Sequence, residues 1–203
     1  MTTDLILGGL TVRSDGAGKL HFWGDVYNLG LVDQRWVRLT IRLLDEKDQP
    51  LAEQTDMLAL EWTLSGERNP FQIIFEDPPE EWTSYDMRFS GRIHEADDRE
   101  SPQPYLDLTT EHVSLDPIGR GGLVCELRGQ VVNSGEAATE NVKVAASLYG
   151  ERGTVVAVLS PYVKSGQALE AGEKAEFGLK YYTVGEEPLR YQIKVQGRQV
   201  KTS

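Results

Sequence analysis

The amino-acid sequence predicts an all-β protein built as two tandem immunoglobulin-like antiparallel β-sandwiches that arose by internal duplication. Three observations carry this expectation. The first is a repeat: "GDVYNLG" at 24–30 returns as "GQVVNSG" at 129–135, so Gly24, Asn28 and Gly30 match Gly129, Asn133 and Gly135 at an offset of 105. "VRLTIRLLD" (37–45) faces "VKVAASLYG" (142–150) at the same offset. One inserted residue later, an offset of 106 places Phe71 on Phe177, Tyr85 on Tyr191 and "FSGR" (89–92) on "VQGR" (195–198). Self-similarity at a fixed period marks a repeated structural unit. The second observation is period-2 alternation, which puts one set of side chains on a core and the other in water. The third is turn chemistry between the alternating runs.

Taken in order, residues 20–28 read as a strand that ends in Asn-x-Gly. Asn and Gly tolerate positive φ, so the reading is a turn that sends the chain toward the other sheet; a binding loop is the alternative. In the next run Val37, Leu39, Ile41 and Leu43 alternate with Arg38, Thr40 and Arg42. "DEKDQP" then closes a hairpin, and "LSGE" supplies a further turn before Phe71, Ile73 and Phe75 alternate in a third strand. "EDPPEE" precedes a strand carrying Tyr85, Met87 and Phe89. The second copy repeats the series with Val142, Val144, Ala146 and Leu148, then "GERG" and "EAGE". Phe177, Leu179 and Tyr181 follow, then "VGEEP", then Tyr191, Ile193 and Val195. No long amphipathic helix is visible. Several short strands over about 100 residues, with turns between them, are the pattern of a sandwich. The intervening "HEADDRESPQPYLDL" (94–108) is acidic, carries Pro102 and Pro104, and lacks periodicity until Tyr105. The expected domains are therefore 1–94 and 106–203, joined by a stiff, extended linker over 95–105.

The totals narrow the function classes. The net charge of −11 is uneven: residues 1–105 hold 10 Lys+Arg against 20 Asp+Glu, whereas 106–203 hold 11 against 12. An acidic surface repels phosphate backbones and anionic lipid, so neither nucleic acid nor a membrane surface is an expected partner. No window approaches the roughly 18 apolar residues of a spanning helix. The N-terminal stretch lacks the basic and apolar regions of a signal peptide, which predicts a soluble, unexported chain, or an extracytoplasmic one if a leader has been removed. The single cysteine, Cys125, excludes an internal disulfide and a Cys-cluster zinc site, and its place in a strand predicts a buried thiol.

Few residues carry recognisable chemistry. His21, His94 and His112 show no metal-ligating spacing. Asp45, Glu46 and Asp48 crowd one hairpin, but "DEKDQP" lacks the Gly and distal Glu of a calcium loop. "GRGG" (119–122) lacks the Lys-Ser/Thr of a phosphate loop. The pairs Glu80-Glu81 and Glu186-Glu187 occupy matching loops and read as solvated turns. Beyond them, Tyr85 and Tyr191 are candidates for a tyrosine corner. All four tryptophans, Trp23, Trp36, Trp62 and Trp82, fall in the first copy. Trp23 and Trp82 are the candidate binding residues, forming a carbohydrate or protein contact surface if exposed near one another. Filling the first core or the junction is the competing role.

The second copy, from "GQVVNSGEAATENVKVAASLYGERGTVVA" through "LEAGEKAEFGLKY" to "YQIKVQGR", resembles the FxLYD family of bacterial β-sandwich domains. At the positions of that motif stand Ala146, Leu148, Tyr149 and Gly150, and in the first copy Ile41, Leu43, Leu44 and Asp45, so the signature is divided between the copies. Adhesion-type CARDB domains, which share the N-x-G and L-x-x-G-E turns, are a close alternative. Either resemblance implies an accessory module, commonly on surface or exported proteins, without catalytic residues or cofactor. The expectation is a non-enzymatic binding or spacer module whose partner is a protein, its own copy included. The alternative is a structural subunit that self-associates through edge strands.

Overall fold

The computed structural model describes residues 4–93, 102–118, 124–164, 168–182 and 184–200. His94, residues 95–101 of the expected linker and the Gly-rich stretch 119–122 lie outside the described residues. The chain divides into two compact units, Met1–His94 and Glu95–Ser203. Among the described residues every regular element is a strand, and every pairing is antiparallel.

The first unit contains β1 (Leu5–Ser14), β2 (Leu20–Asn28), β3 (Gln34–Leu44), β4 (Pro50–Met57), the short β5 (Trp62–Thr63), β6 (Arg68–Phe75) and β7 (Ser84–Ile93). One sheet runs β1-β2-β6. The other centres on β3, flanked by β4 and β7, with β5 pairing at its start. The core lies between them. Leu20, Phe22 and Val26 of β2 and Phe71, Ile73 and Phe75 of β6 meet Val37, Leu39, Ile41 and Leu43 of β3. The four β3 residues are at most 1% exposed, whereas Arg38 between them is exposed. Each such aliphatic side chain removed from water contributes about 1.5–3 kcal/mol, so the alternation read from the sequence is also what fixes the register of β3.

The second unit contains β8 (Pro104–Tyr105), β9 (Leu108–Ile118), β10 (Val124–Asn133), β11 (Thr139–Tyr149), β12 (Val155–Leu159), β13 (Tyr162–Lys164), β14 (Lys174–Tyr182) and β15 (Arg190–Gln199). Its sheets are β9-β10-β14 and β12-β11-β15-β8, with β13 also on β11. Leu127 and Val131 of β10, Val142, Val144, Ala146 and Leu148 of β11, and Phe177 of β14 form its core with Val156, Ala157 and Leu169. Pro104 and Tyr105, placed in the linker by sequence, pair instead with Arg198 and Gly197 as an edge strand of this unit.

The two units share details beyond strand order. β3 and β11 each have a bulge where the register against the neighbouring strand slips, between Arg35 and Arg38 and between Glu140 and Lys143. The residue in the bulge, Trp36 or Asn141, has φ 52° in both. Gly66 and Gly172 sit in matching turns at φ 73° and 74°. The Asn-x-Gly turns also match, but not for the backbone reason expected from sequence, because neither Asn28, Gly30, Asn133 nor Gly135 has positive φ. Each Asn is a buried bracket instead. Asn28 Nδ2 donates to the carbonyls of Val32 (2.8 Å) and Thr63 (2.9 Å), and its Oδ1 accepts from Gly30 N–H (3.0 Å). Asn133 donates to Ala137 and Leu169 (both 2.8 Å) and accepts from Gly135 (3.1 Å). Gly135 is glycine because a Cβ there would lie 2.1 Å from the Tyr105 hydroxyl oxygen.

Candidate functional site

The candidate surface of Trp23 and Trp82 is not what the first unit presents. Trp23 is 1% exposed, stacked on His21 with ring centroids 5.0 Å apart. Trp82 is half-buried against the first core. Strand β2 is buried on both faces, with His21, Trp23 and Asp25 on one side and Phe22 and Val26 on the other all inaccessible, so Trp23 takes the competing role of a packed residue. Trp62 is also buried. The exposed tryptophan is Trp36, at 37%.

Trp36 lies on the outer face of the β4-β3-β7 sheet, where it lines a concavity of about 390 Å³ with Arg38, Met57, Ser90, Gly91 and Arg92. The strands position these groups directly, since Arg38 stands opposite Met57 of β4 and Ser90 of β7. The bulge at Trp36 turns its indole toward two arginines. The guanidinium carbon of Arg35 is 3.8 Å from the ring centroid and that of Arg92 is 5.5 Å away. A tryptophan at positive φ costs roughly 1–2 kcal/mol, and such strain concentrates where a side chain is being aimed. Asn141, the matching residue, is of a type that adopts this conformation more readily.

Charge divides this face in two. Toward the hairpin, Arg42 pairs with Asp86, and Arg88 approaches the same carboxylate at 3.8 Å. Thr40 and Thr55 hydrogen-bond across the strands at 2.8 Å. Arg35 is engaged by Glu61, with Nε donating at 2.7 Å. Among the described residues Arg38 and Arg92 make no ion pair. The Arg42 hydrogen bond, opposed in part by burial, holds the Asp86 carboxyl below its ordinary value of 3.8. A carboxyl depressed by folding stabilises above its unfolded pKa, and that contribution is lost as pH falls through the folded pKa. Asp86→Asn is therefore expected to lower the unfolding midpoint at neutral pH, with the gap from wild type closing as the pH is taken below 3.8. Urea titrations across that range check it, and a gap independent of pH would refute the assignment.

The other polar candidates serve the fold. Asp45 Oδ1 accepts the N–H groups of Lys47 and Gln49, both at 2.8 Å, so the acidic hairpin is an Asx turn. Glu186 caps the matching hairpin by accepting from Glu151 N–H at 2.7 Å. The local tyrosine corner is not formed at Tyr191, whose hydroxyl donates to the Val113 carbonyl of β9 at 3.1 Å. Tyr85 sets its ring edge-on to Phe22. His21 Nε2 meets Asp15 Oδ2 at 3.0 Å. His112 sits at φ 52° where the pairing of β9 with β10 slips. Cys125 is 2% exposed, and burial, with Glu187 second, pushes its thiol up. Among the described residues no three His, Cys, Asp or Glu side chains gather as a metal site, and no helix is long and apolar enough to cross a membrane.

Sequence reasoning passed over Trp36, although the signal was present. In "RWVRL" Val37 and Leu39 face the core, so Trp36 belongs to the solvent face between two arginines. No family model matches the chain, and no curated protein matches it. Among solved structures, a crystal structure of red sea bream transglutaminase aligns with 9% identity and a TM-score of 0.31. The alignment covers 97% of this chain and 29% of that one, so the chain spans less than a third of its length. What the fold defines is a class, an all-β protein of antiparallel sandwich architecture.

Proposed function

We propose that the chain is a non-catalytic binding module, two sandwich units of FxLYD-like or CARDB-like type derived from one ancestral copy, with its partner-facing surface on the first unit. The matched bulges, Asn brackets and turn glycines support a common origin. The observation that carries the binding role is the concave outer face at Trp36. There an exposed, conformationally strained tryptophan and two arginines without ionic partners among the described residues line about 390 Å³ of open space. That volume falls within the range of ligand sites, and aromatic and arginine side chains dominate binding hot spots.

An array of random-sequence peptides, probed with wild-type protein and with Trp36→Ala, tests the role. A subset of peptides bound by wild type and lost by the variant is expected; identical patterns would overturn the reading. Light scattering on the same samples addresses self-assembly. The observation favouring that reading is β4, an edge strand with seven of eight residues exposed. Its Pro50, Glu53 and Asp56 are residues that discourage edge pairing, so a monomer is the expected result and a dimer broken by a charge placed on β4 would favour assembly.

A further inference from the structure

Resting on that reading, we infer that the Trp36 concavity takes carboxylate side chains of an acidic, aliphatic-rich partner peptide, gripped between Arg38 and Arg92. In a chain of 32 Asp+Glu against 21 Lys+Arg, two exposed arginines that line one concavity without a carboxylate partner make a local cationic patch, with donors open to the carboxylates of a partner. On this sheet Arg35, Arg42 and Arg88 have acids beside them, from Glu61 and Asp86. Arg38 and Arg92 have none among the described residues, and they are the two that line the concavity.

The geometry selects the anion. A guanidinium presents parallel N–H donors that match the two oxygens of a carboxylate. Phosphate sites characteristically add a nest of backbone N–H groups or a helix N-terminus; here the lining residues stand on the paired strands β3, β4 and β7, with Ser90 the remaining residue that carries a polar side chain. The apolar half of the lining, the Trp36 indole and the 51%-exposed Met57, suits an aliphatic neighbour of the acid. Because the residues stand on an open sheet face, the site fits a side chain projecting from a partner better than a free metabolite, which a pocket encloses on most sides.

Calorimetric titration of the full chain tests this with four probes: a capped octapeptide alternating Glu with Val, its Gln counterpart, free glutarate and inorganic phosphate. The chain's own acidic stretch next to Arg92 in sequence is controlled by a parallel variant with Glu95→Gln, Asp97→Asn, Asp98→Asn and Glu100→Gln. The acidic peptide is expected to bind, the Gln peptide about tenfold more weakly or worse, with Arg38→Ala and Arg92→Ala each weakening binding roughly tenfold. Arg→Lys at either position should recover only part, because the charge stays but the fork is lost. Both arginines are exposed, so circular dichroism should show the variants folded. Equal affinity for the two peptides, indifference to the arginine variants, or binding by neither chain overturns the inference. So does glutarate or phosphate binding at least as tightly as the peptide. If Trp36-dependent peptides on the array lack acidic residues, the carboxylate assignment fails while the binding reading stands. If no peptide depends on Trp36, the reading itself fails.

Discussion

Gly24→Ala is expected to destabilise the protein by about 3 kcal/mol or more, while Gly129→Ala, at the matching position, should cost about 1 kcal/mol. A Cβ on Gly24 would lie 1.9 Å from the Gly9 carbonyl oxygen and 2.9 Å from Phe71 Cε1. The first contact is backbone. Gly9 stands beside the irregularity in β1, where pairing with β2 slips between Leu7 and Gly9, and relief requires moving that strand and breaking its ladder. A Cβ on Gly129 would meet only side chains, Phe177 Cζ at 2.9 Å and Val113 Cγ2 at 3.0 Å. Both can give by a few tenths of an ångström through small χ changes, which cost of order 1 kcal/mol. Unfolding by urea, extrapolated linearly to water, measures the two variants against wild type. Equal costs would mean that β1 yields as easily as a phenyl ring, and the rigid close approach of β1 to β2 would have to be abandoned.

The contrast between these two glycines also marks what the sequence reveals. Strand β3 is legible because one face is apolar and the other polar, and burial enforces that pattern, whereas in β11 Ala145 and Ser147, which alternation assigned to water, are as buried as Val144 and Ala146. β2 is legible as a strand but not for its faces: His21, Trp23 and Asp25 are polar or amphipathic, yet all three are buried, and alternation carries no information about a strand covered on both sides. That is why the sequence leaves both roles of Trp23 open. Trp36 was available from "RWVRL", but the bulge that turns it toward Arg92 depends on a register slip against β7, a long-range property with no local residue signature. The Asn-x-Gly turns show the same limit. The residue types gave the right location and the wrong mechanism, because an Asn side chain that satisfies carbonyls 4 and 35 residues away looks in sequence like an Asn chosen for its own φ. Pro104 and Tyr105 read as linker because a two-residue edge strand is too short to show a period.

Asn133→Ala and Asn28→Ala are the second pair with large expected effects, about 3 and 2 kcal/mol respectively. Each asparagine is at most 1% exposed, and each side chain satisfies one carbonyl inside the unit, that of Thr63 or Leu169, together with an outer carbonyl, that of Val32 or Ala137, and one N–H. Removing a partner from a buried polar group costs about 1–3 kcal/mol; the outer carbonyls of Val32 and Ala137 regain water, and Leu169 keeps the Thr139 N–H, so the cost falls mainly on the inner contacts. Asn133 costs more because its Oδ1 also accepts the Tyr105 hydroxyl at 2.8 Å, which ties β8 to the turn; Tyr105 itself is 6% exposed. Two further substitutions separate these terms. Tyr105→Phe removes only the extra bond and should cost about 1 kcal/mol. Combined with Asn133→Ala it should cost less than the two single changes added together, since they share one interaction. Asn→Asp at either position should be at least as damaging as Asn→Ala, because it replaces two donors with a carboxylate facing two carbonyl oxygens in a buried site. If Asn28→Ala and Asn133→Ala each cost under about 0.5 kcal/mol, the turns would be held by their backbone bonds alone, those of Gly66 N–H to Asn28 and Gly172 N–H to Asn133. The recurrence of asparagine at both sites would then need a cause other than stability.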